Sequence, residues 1–220
     1  MVRYPLIVLE GIDGSGKATH SRKLCERLKN VFETEPITRL EFPQYESTTG
    51  RLIQAHLQEK WTVPDYHGGT EATVADELTF QALMTVNRYE MADEIETLRQ
   101  WGPVVLDRYW PSGYAYGTAN GLDPDWLLRV HACLPQPDVC LLIDIPPEVS
   151  WERRPTRRDR YEKKPDLLKQ ARFNYHYLFS QMSHQYPNWF IIPVDGKDSV
   201  ETVQDRIWAR LPSLKQMIAS

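Results

Sequence analysis

Three groups of residues could do chemistry. The first is GIDGSGK at 11–17, where Gly11, Gly14 and Gly16 are interleaved with Asp13 and Ser15 ahead of Lys17. Glycines let a chain turn with positive φ and approach a ligand closely. When such a turn opens a helix, its successive N–H groups converge on an anion, and a lysine at its end adds positive charge. That chemistry is phosphate binding. The glycines fall as GxxGxG, which is not the dinucleotide fingerprint. Ala18 follows Lys17 where the strict phosphate-loop pattern places a Ser or Thr hydroxyl on Mg2+, and Thr19 comes one residue late. An ordinary strand–turn–helix link is the alternative reading. The second group is Asp107 with Arg108, at the end of an apolar run. A carboxylate there can hold Mg2+ directly or through water; a structural Asp–Arg pair capping the strand is the alternative. The third is 151–164, with seven Lys or Arg against three Asp or Glu in a chain of net charge −4. A concentrated basic segment in an acidic protein points to a polyanionic ligand, or else to a solvated face.

These groups need elements to position them. Residues 6–9 (LIVL), 104–106 (VVL), 139–143 (VCLLI) and 190–194 (FIIPV) are short, continuous apolar runs. They are too short for helices and do not alternate, so they predict strands buried on both faces. A weaker strand is predicted over 37–42. Helical spacing follows Lys17, where Ser21, Leu24, Cys25, Leu28 and Val31 recur at helical intervals. Further helices are predicted over 78–98, 165–182 and 199–211, the last with Val200, Val203, Ile207 and Leu211 on one face. Strand–helix alternation predicts an α/β fold: a parallel five-stranded sheet flanked by helices on both sides. If the strands before Gly11 and Asp107 are neighbours, Lys17 and Asp107 meet at the carboxyl ends, where such sheets collect ligands. Residues 60–77, with Pro64, Gly68 and Gly69, read as a variable insert, 151–164 as a short arginine-rich lid, and 1–220 as one domain.

Composition narrows the field. With 41% hydrophobic and 25% charged residues, the 220-residue chain can build a sizeable core. The acidic balance disfavours a nucleic-acid coat. No apolar run approaches the ~20 residues that span a bilayer. The run at 6–9 is shorter than the ~7–15-residue core of a signal peptide. Cys25, Cys133 and Cys140 form neither a CxxC nor an even framework. The expectation is a cytoplasmic protein in a reducing compartment, with no nucleic-acid or membrane partner.

Taken in order, the motifs resemble those of thymidylate kinases, P-loop nucleoside-monophosphate kinases that act on dTMP. The stretches are LEGIDGSGK at 9–17, Phe42-Pro43 followed by Gly50, NRYE at 87–90, DRYWPSGYAY at 107–116, GLD at 121–123, PD at 137–138, LIDI at 142–145 and DRYE at 159–162. The resemblance implies the P-loop NTPase fold in three α/β/α layers. It also implies ATP on Gly11, Asp13, Gly14, Ser15, Gly16, Lys17, Ala18 and Thr19, with Arg153 stacked on adenine. Asp13 would lie near the deoxyribose 3′-OH, and Phe42 and Pro43 would wall the base site. Arg88 would bond the thymine edge, Arg108 would clamp the acceptor phosphate, and Tyr116 would help reject ribose. Tyr45, Met84, Ser112, Gly113 and Glu162 complete the implied dTMP site. Arg157, Arg158 and Arg160 would be catalytic lid arginines beside Lys17, Asp107 and Arg108, with Gly14 matching the bacterial type. Asp107 would carry Mg2+, and the family implies a homodimer.

Some residues depart from the family pattern. Met84 stands for a Phe that stacks on thymine, with Phe80 one turn earlier as a substitute. Tyr45 stands where some members have a phosphate-binding Arg, Gly117 for a frequent Gln, and Ala18 for the hydroxyl. The expected reaction is ATP:dTMP phosphotransfer. A kinase for dUMP or a modified deoxypyrimidine monophosphate, and a nucleotide-binding protein with little catalysis, are the alternatives.

Overall fold

The fold was obtained as a computed structural model that describes residues 3–58, 74–153 and 165–211, with the backbone alone at 74–76 and 165. Leu6–Glu10 (β1) runs straight into the glycine turn, and Lys17–Lys29 forms α1. Thr38–Glu41 (β2) is followed by helices Thr48–Leu57 (α2), Val74–Tyr89 (α3) and Ala92–Leu98 (α4). Val104–Asp107 (β3) leads into Trp110–Ala119 (α5) and Pro124–His131 (α6). Val139–Asp144 (β4) precedes Pro147–Arg153 (α7) and Pro165–Met182 (α8), and Trp189–Pro193 (β5) precedes Val200–Arg210 (α9).

The five strands form one parallel sheet in the order β2-β3-β1-β4-β5. The three central strands are buried along their whole length. This is why they read as continuous apolar runs rather than as alternating ones. Helix α1 packs on β1, β2 and β3 with α9 beside it, α8 packs on β5, and α5 joins α8 to α3 and α6. In the β1–β3 ladder Leu9 pairs with Asp107, so the phosphate-loop turn and Asp107 leave the sheet side by side.

Several expectations are corrected. The strand predicted over 190–194 is the edge strand β5, with Phe190 and Ile191 only half-buried. The helix predicted over 78–98 is two helices separated by a turn at Glu90 and Met91, and it begins earlier, at Val74. The predicted insert therefore ends inside a helix, and its residues 60–73 lie outside the described residues. Helices α2, α5, α6 and α7 were not predicted. Helix α5 is buried on nearly every side, from Trp110 to Ala115 and again at Gly117, so no polar face marks it. Helices α2 and α6 are short, and caps mark their starts: Ser47 Oγ accepts from Gly50 N at 3.0 Å, and Asp123 Oδ1 accepts from Asp125 N at 3.1 Å.

Candidate active site

The glycine turn is shaped as its composition demands. Gly11, Gly14 and Gly16 all have positive φ, at 147°, 75° and 95°. At Gly11 a Cβ would also sit 2.5 Å from the Ile143 carbonyl oxygen of β4, so both conformation and space require glycine. Lys17 Nζ donates to the carbonyls of Gly11 and Ile12, both at 2.9 Å, and so lies along the turn. Burial, and next the Arg108 guanidinium, push the Lys17 ammonium down to about 7, against the pull of Asp13, Asp107 and Glu10.

Beyond β3 the chain turns sharply at Arg108, whose φ of 67° is rare for a residue with a side chain. The turn is held from below by Glu10, the last residue of β1, which has no exposed surface. Its carboxylate accepts from Tyr109 N at 2.7 Å, from Ser112 Oγ at 2.6 Å and N at 3.3 Å, and from Tyr175 OH at 2.9 Å. Burial pushes the Glu10 carboxyl upward, opposed by Ser112 and Arg108. Arg108 is thereby aimed at the phosphate loop. It forms a short ion pair with Asp13 and donates to Gly11 O at 3.2 Å and Ser112 Oγ at 3.3 Å. Burial is the largest single influence and opposes its charge, but Asp13, Tyr116, Tyr175 and Glu10 together outweigh it and hold the guanidinium well above its ordinary range. Tyr116 OH donates to the other Asp13 oxygen at 3.0 Å.

These groups open onto a cleft of about 480 Å3. Its floor is the phosphate loop, with Asp13, Gly14, Gly16, Lys17, Ala18 and Thr19. Asp107 and Arg108 form the β3 side, Phe42, Pro43 and Tyr45 an apolar wall, and Arg153 the rim. Arg153 Nη1 donates to Gly14 O at 3.3 Å. Gly11 and Ser15 are buried beneath the loop.

Five residues expected around the acceptor do not line this cleft. Ser112 and Tyr116 act through Glu10, Arg108 and Asp13. Arg88 is buried, donates to Met84 O at 3.0 Å and lies 3.5 Å from His131 Nε2. Burial and next Arg88 drive His131 down to about 3, so its ring is neutral. Gly113 sits against both; a Cβ there would come within 2.9 Å of the His131 ring. Met84 packs toward the small cluster of Ile53, Phe80 and Leu167. Phe80 is buried, and its ring is stacked on His56 at 4.6 Å. Arg157, Arg158, Arg160 and Glu162 lie outside the described residues, and residues 151–153 of the predicted lid end α7.

Sequence reasoning missed Arg39, Glu41 and the holding role of Glu10. Arg39 Nη2 lies 2.9 Å from Asp107 Oδ2 and 2.9 Å from Glu41 Oε2. Asp107 therefore has an arginine partner, but from β2 rather than its neighbour Arg108. It also missed Asn87 as an anchor, which accepts from Gln44 N at 2.8 Å and donates to Ser47 Oγ at 2.9 Å, tying the wall loop to α3.

Among the described residues no group of three or more His, Cys, Asp or Glu could hold a metal by itself. Three carboxylates line the cleft: Asp13, which Arg108 and Tyr116 engage, and the neighbouring pair Glu41 and Asp107. Mg2+ commonly takes one or two protein carboxylates and fills its shell with phosphate oxygens and water. The donor set thus fits a Mg2+ that arrives on a nucleotide. A parallel sheet with a glycine-rich loop between β1 and α1, and a second arginine across the cleft, defines a P-loop protein built to hold phosphates.

A family model described as thymidylate kinase matches residues 9–207. A thymidylate kinase of Arabidopsis thaliana is 33% identical over 206 residues, covering 93% of this chain and 70% of that protein. One of Homo sapiens is 32% identical over 207 residues, covering 93% and 88%. The solved thymidylate kinase of Candida albicans superposes with a TM-score of 0.81 at 24% identity, covering 99% of this chain and 95% of that one. The chain belongs to the thymidylate kinase family.

Proposed function

We propose that the chain transfers the γ-phosphoryl group of ATP to dTMP, giving dTDP and ADP. The observation that carries this reading is one cleft in which the phosphate loop and Lys17 face Arg108 and the Phe42-Pro43-Tyr45 wall. The acceptor is a phosphate oxygen, already anionic near neutral pH, so no strong general base is required. The obstacle is the approach of two polyanions, and the enzyme's work is positioning and charge neutralisation. In this reading the loop amides and Lys17 hold the ATP phosphates. Arg108, released from Asp13, grips the monophosphate as a planar fork. Asp13 and Tyr116 then face the sugar, Phe42 and Pro43 the base, and Arg153 the adenine.

Mg2+ is the proposed metal. Asp107 and Glu41 would hold it, mostly through water, and Ala18 would contribute no ligand. When bound, it supplies charge neutralisation on the transferring phosphates. Arg157, Arg158 and Arg160 are proposed to stabilise charge on the transferring group. Arg160→Ala is expected to lower kcat by about 10³-fold while KM for dTMP moves little, as for other arginines in phosphoryl transfer. Steady-state kinetics at saturating ATP checks this; unchanged kcat removes Arg160 from the reaction. The protein is proposed to be cytoplasmic and homodimeric. Among the described residues no helix is long and apolar enough to cross a membrane.

A coupled ADP-release assay across a panel of nucleoside monophosphates tests the function. Turnover with dTMP above every other acceptor is expected, and ATP binding without turnover on any acceptor would overturn the reading. The position of Met84 favours a second reading with a wider acceptor range. Its side chain packs into the Ile53–Phe80–Leu167 cluster and offers no aromatic face to a base. In that case the same panel returns comparable rates with dUMP.

A further inference from the structure

We propose that Arg39 is a built-in counter-ion for the metal carboxylates, a positioning residue that keeps Asp107 and Glu41 from capturing a divalent cation until a nucleotide brings one. This deepens the proposed phosphotransfer and rests on its need for Mg2+. Glu41 and Asp107 are register partners on adjacent parallel strands, and both line the cleft. Two carboxylates side by side repel each other and attract a dication, and affinity for such ions rises with the number of carboxylate charges. Arg39 sits between them. One nitrogen, Nη2, lies 2.9 Å from Glu41 Oε2 and 2.9 Å from Asp107 Oδ2. The same edge is also tethered: Nε donates to Ser21 Oγ at 2.7 Å, and Ser21 Oγ donates to Ala18 O at 3.2 Å.

The guanidinium is therefore tied to Ser21 in the second turn of α1 and, through its hydroxyl, to the carbonyl of Ala18, the residue that stands where a phosphate-loop hydroxyl would otherwise help to hold the metal. An arginine suits the role because it stays charged and forks to several oxygens at once. Its two ion pairs differ in weight. The side chains of Arg39 and Asp107 are 20% and 10% exposed, whereas Glu41 is 57% exposed and its pair is correspondingly weak. Arg39 thus neutralises Asp107 first and damps the pull of Glu41. Arg39, Asp107 and Glu41 together keep one net negative charge, enough to meet a metal already shared with phosphates and too little to strip one from water.

The test uses nucleotide-free protein and Mn2+ alone, followed by calorimetry and by the electron paramagnetic resonance of free Mn2+. Arg39→Met is expected to bind Mn2+ about tenfold or more tightly than the parent, because two uncompensated carboxylates remain. Adding Glu41→Gln to Arg39→Met is expected to return the affinity to the parent level. Arg39→Lys keeps the charge and is expected to stay close to the parent. The proposal is overturned if Arg39→Met binds Mn2+ no more tightly than the parent, or if the added Glu41→Gln leaves the gained affinity in place. Should Arg39→Met lose its folded circular dichroism, Arg39→Gln removes the same charge with a polar side chain and is judged by the same criteria. Because neither nucleotide nor dTMP is present, failure here is distinguishable from failure of the acceptor assignment.

Discussion

At the scale of single residues, Lys17 is the clearest lever. With its ammonium pushed down to about 7 by burial and then by Arg108, it is mostly neutral above that pH in the free protein. A bound triphosphate favours the charged form, so binding takes up a proton, and affinity falls as pH rises past about 7. Calorimetry of ATP binding at about pH 8 should give a less favourable enthalpy in Tris than in phosphate buffer, by the difference in buffer ionisation heat. Equal enthalpies would mean that Lys17 is already charged in the free protein. Lys17 and the loop glycines were legible in the sequence because their chemistry is local: turn, helix start and cation lie within a few residues. The roles expected of Asp13 and Arg108 came from the family resemblance instead. Arg39 and Glu41 were legible in neither way. Their meaning comes from the β2–β3 register that sets Glu41 opposite Asp107, and a four-residue edge strand reading TRLE carries no sign of that pairing.

At the scale of elements, the β1 terminus and the α5 entrance form one unit around Glu10. Glu10→Ala would leave the N–H and hydroxyl groups of Ser112, the Tyr109 N–H and the Tyr175 hydroxyl without their acceptor. A loss of about 3 kcal/mol in unfolding free energy is expected, measured by urea denaturation. A higher KM for dTMP should accompany it, since Arg108 loses the turn that aims it. Glu10 stood in a quoted motif, but only coordinates reveal that its carboxylate points inward beneath the sheet's end. The cap at α2 is a milder case. Ser47→Ala removes the acceptor for Gly50 N and one partner of Asn87, and about 1 kcal/mol is expected from thermal unfolding. An unchanged melting temperature would show that Asn87 alone secures this corner. Strands β1, β3 and β4 were legible because burial on both faces leaves nothing but apolar residues. Helix α5 was not, for the same physical reason: without a wet face it has no period to detect.

At the scale of the whole molecule, the sheet order turns separate motifs into one cleft. β3 inserts between β1 and β2, so Asp107 lies beside the phosphate loop on one side and Glu41 on the other. The faces of α2 and α3 leave Leu52, Leu78, Val86 and Tyr89 exposed, the kind of apolar surface a second copy would cover. Light scattering should therefore give a particle about twice the 25.7 kDa chain, and Val86→Glu should shift it toward the single-chain mass. A single-chain mass for the parent protein would exclude the dimer. Crowding around α5 bears on how this enzyme can change. Gly113 has the His131 ring within 2.9 Å of where a Cβ would lie, and Gly117 has Leu127 methyls equally close. In a library of random variants, survivors should accumulate few replacements along that segment, whatever acceptor is selected for. New acceptor preferences would instead arise at Tyr45, an exposed residue of the cleft wall with room for a different side chain.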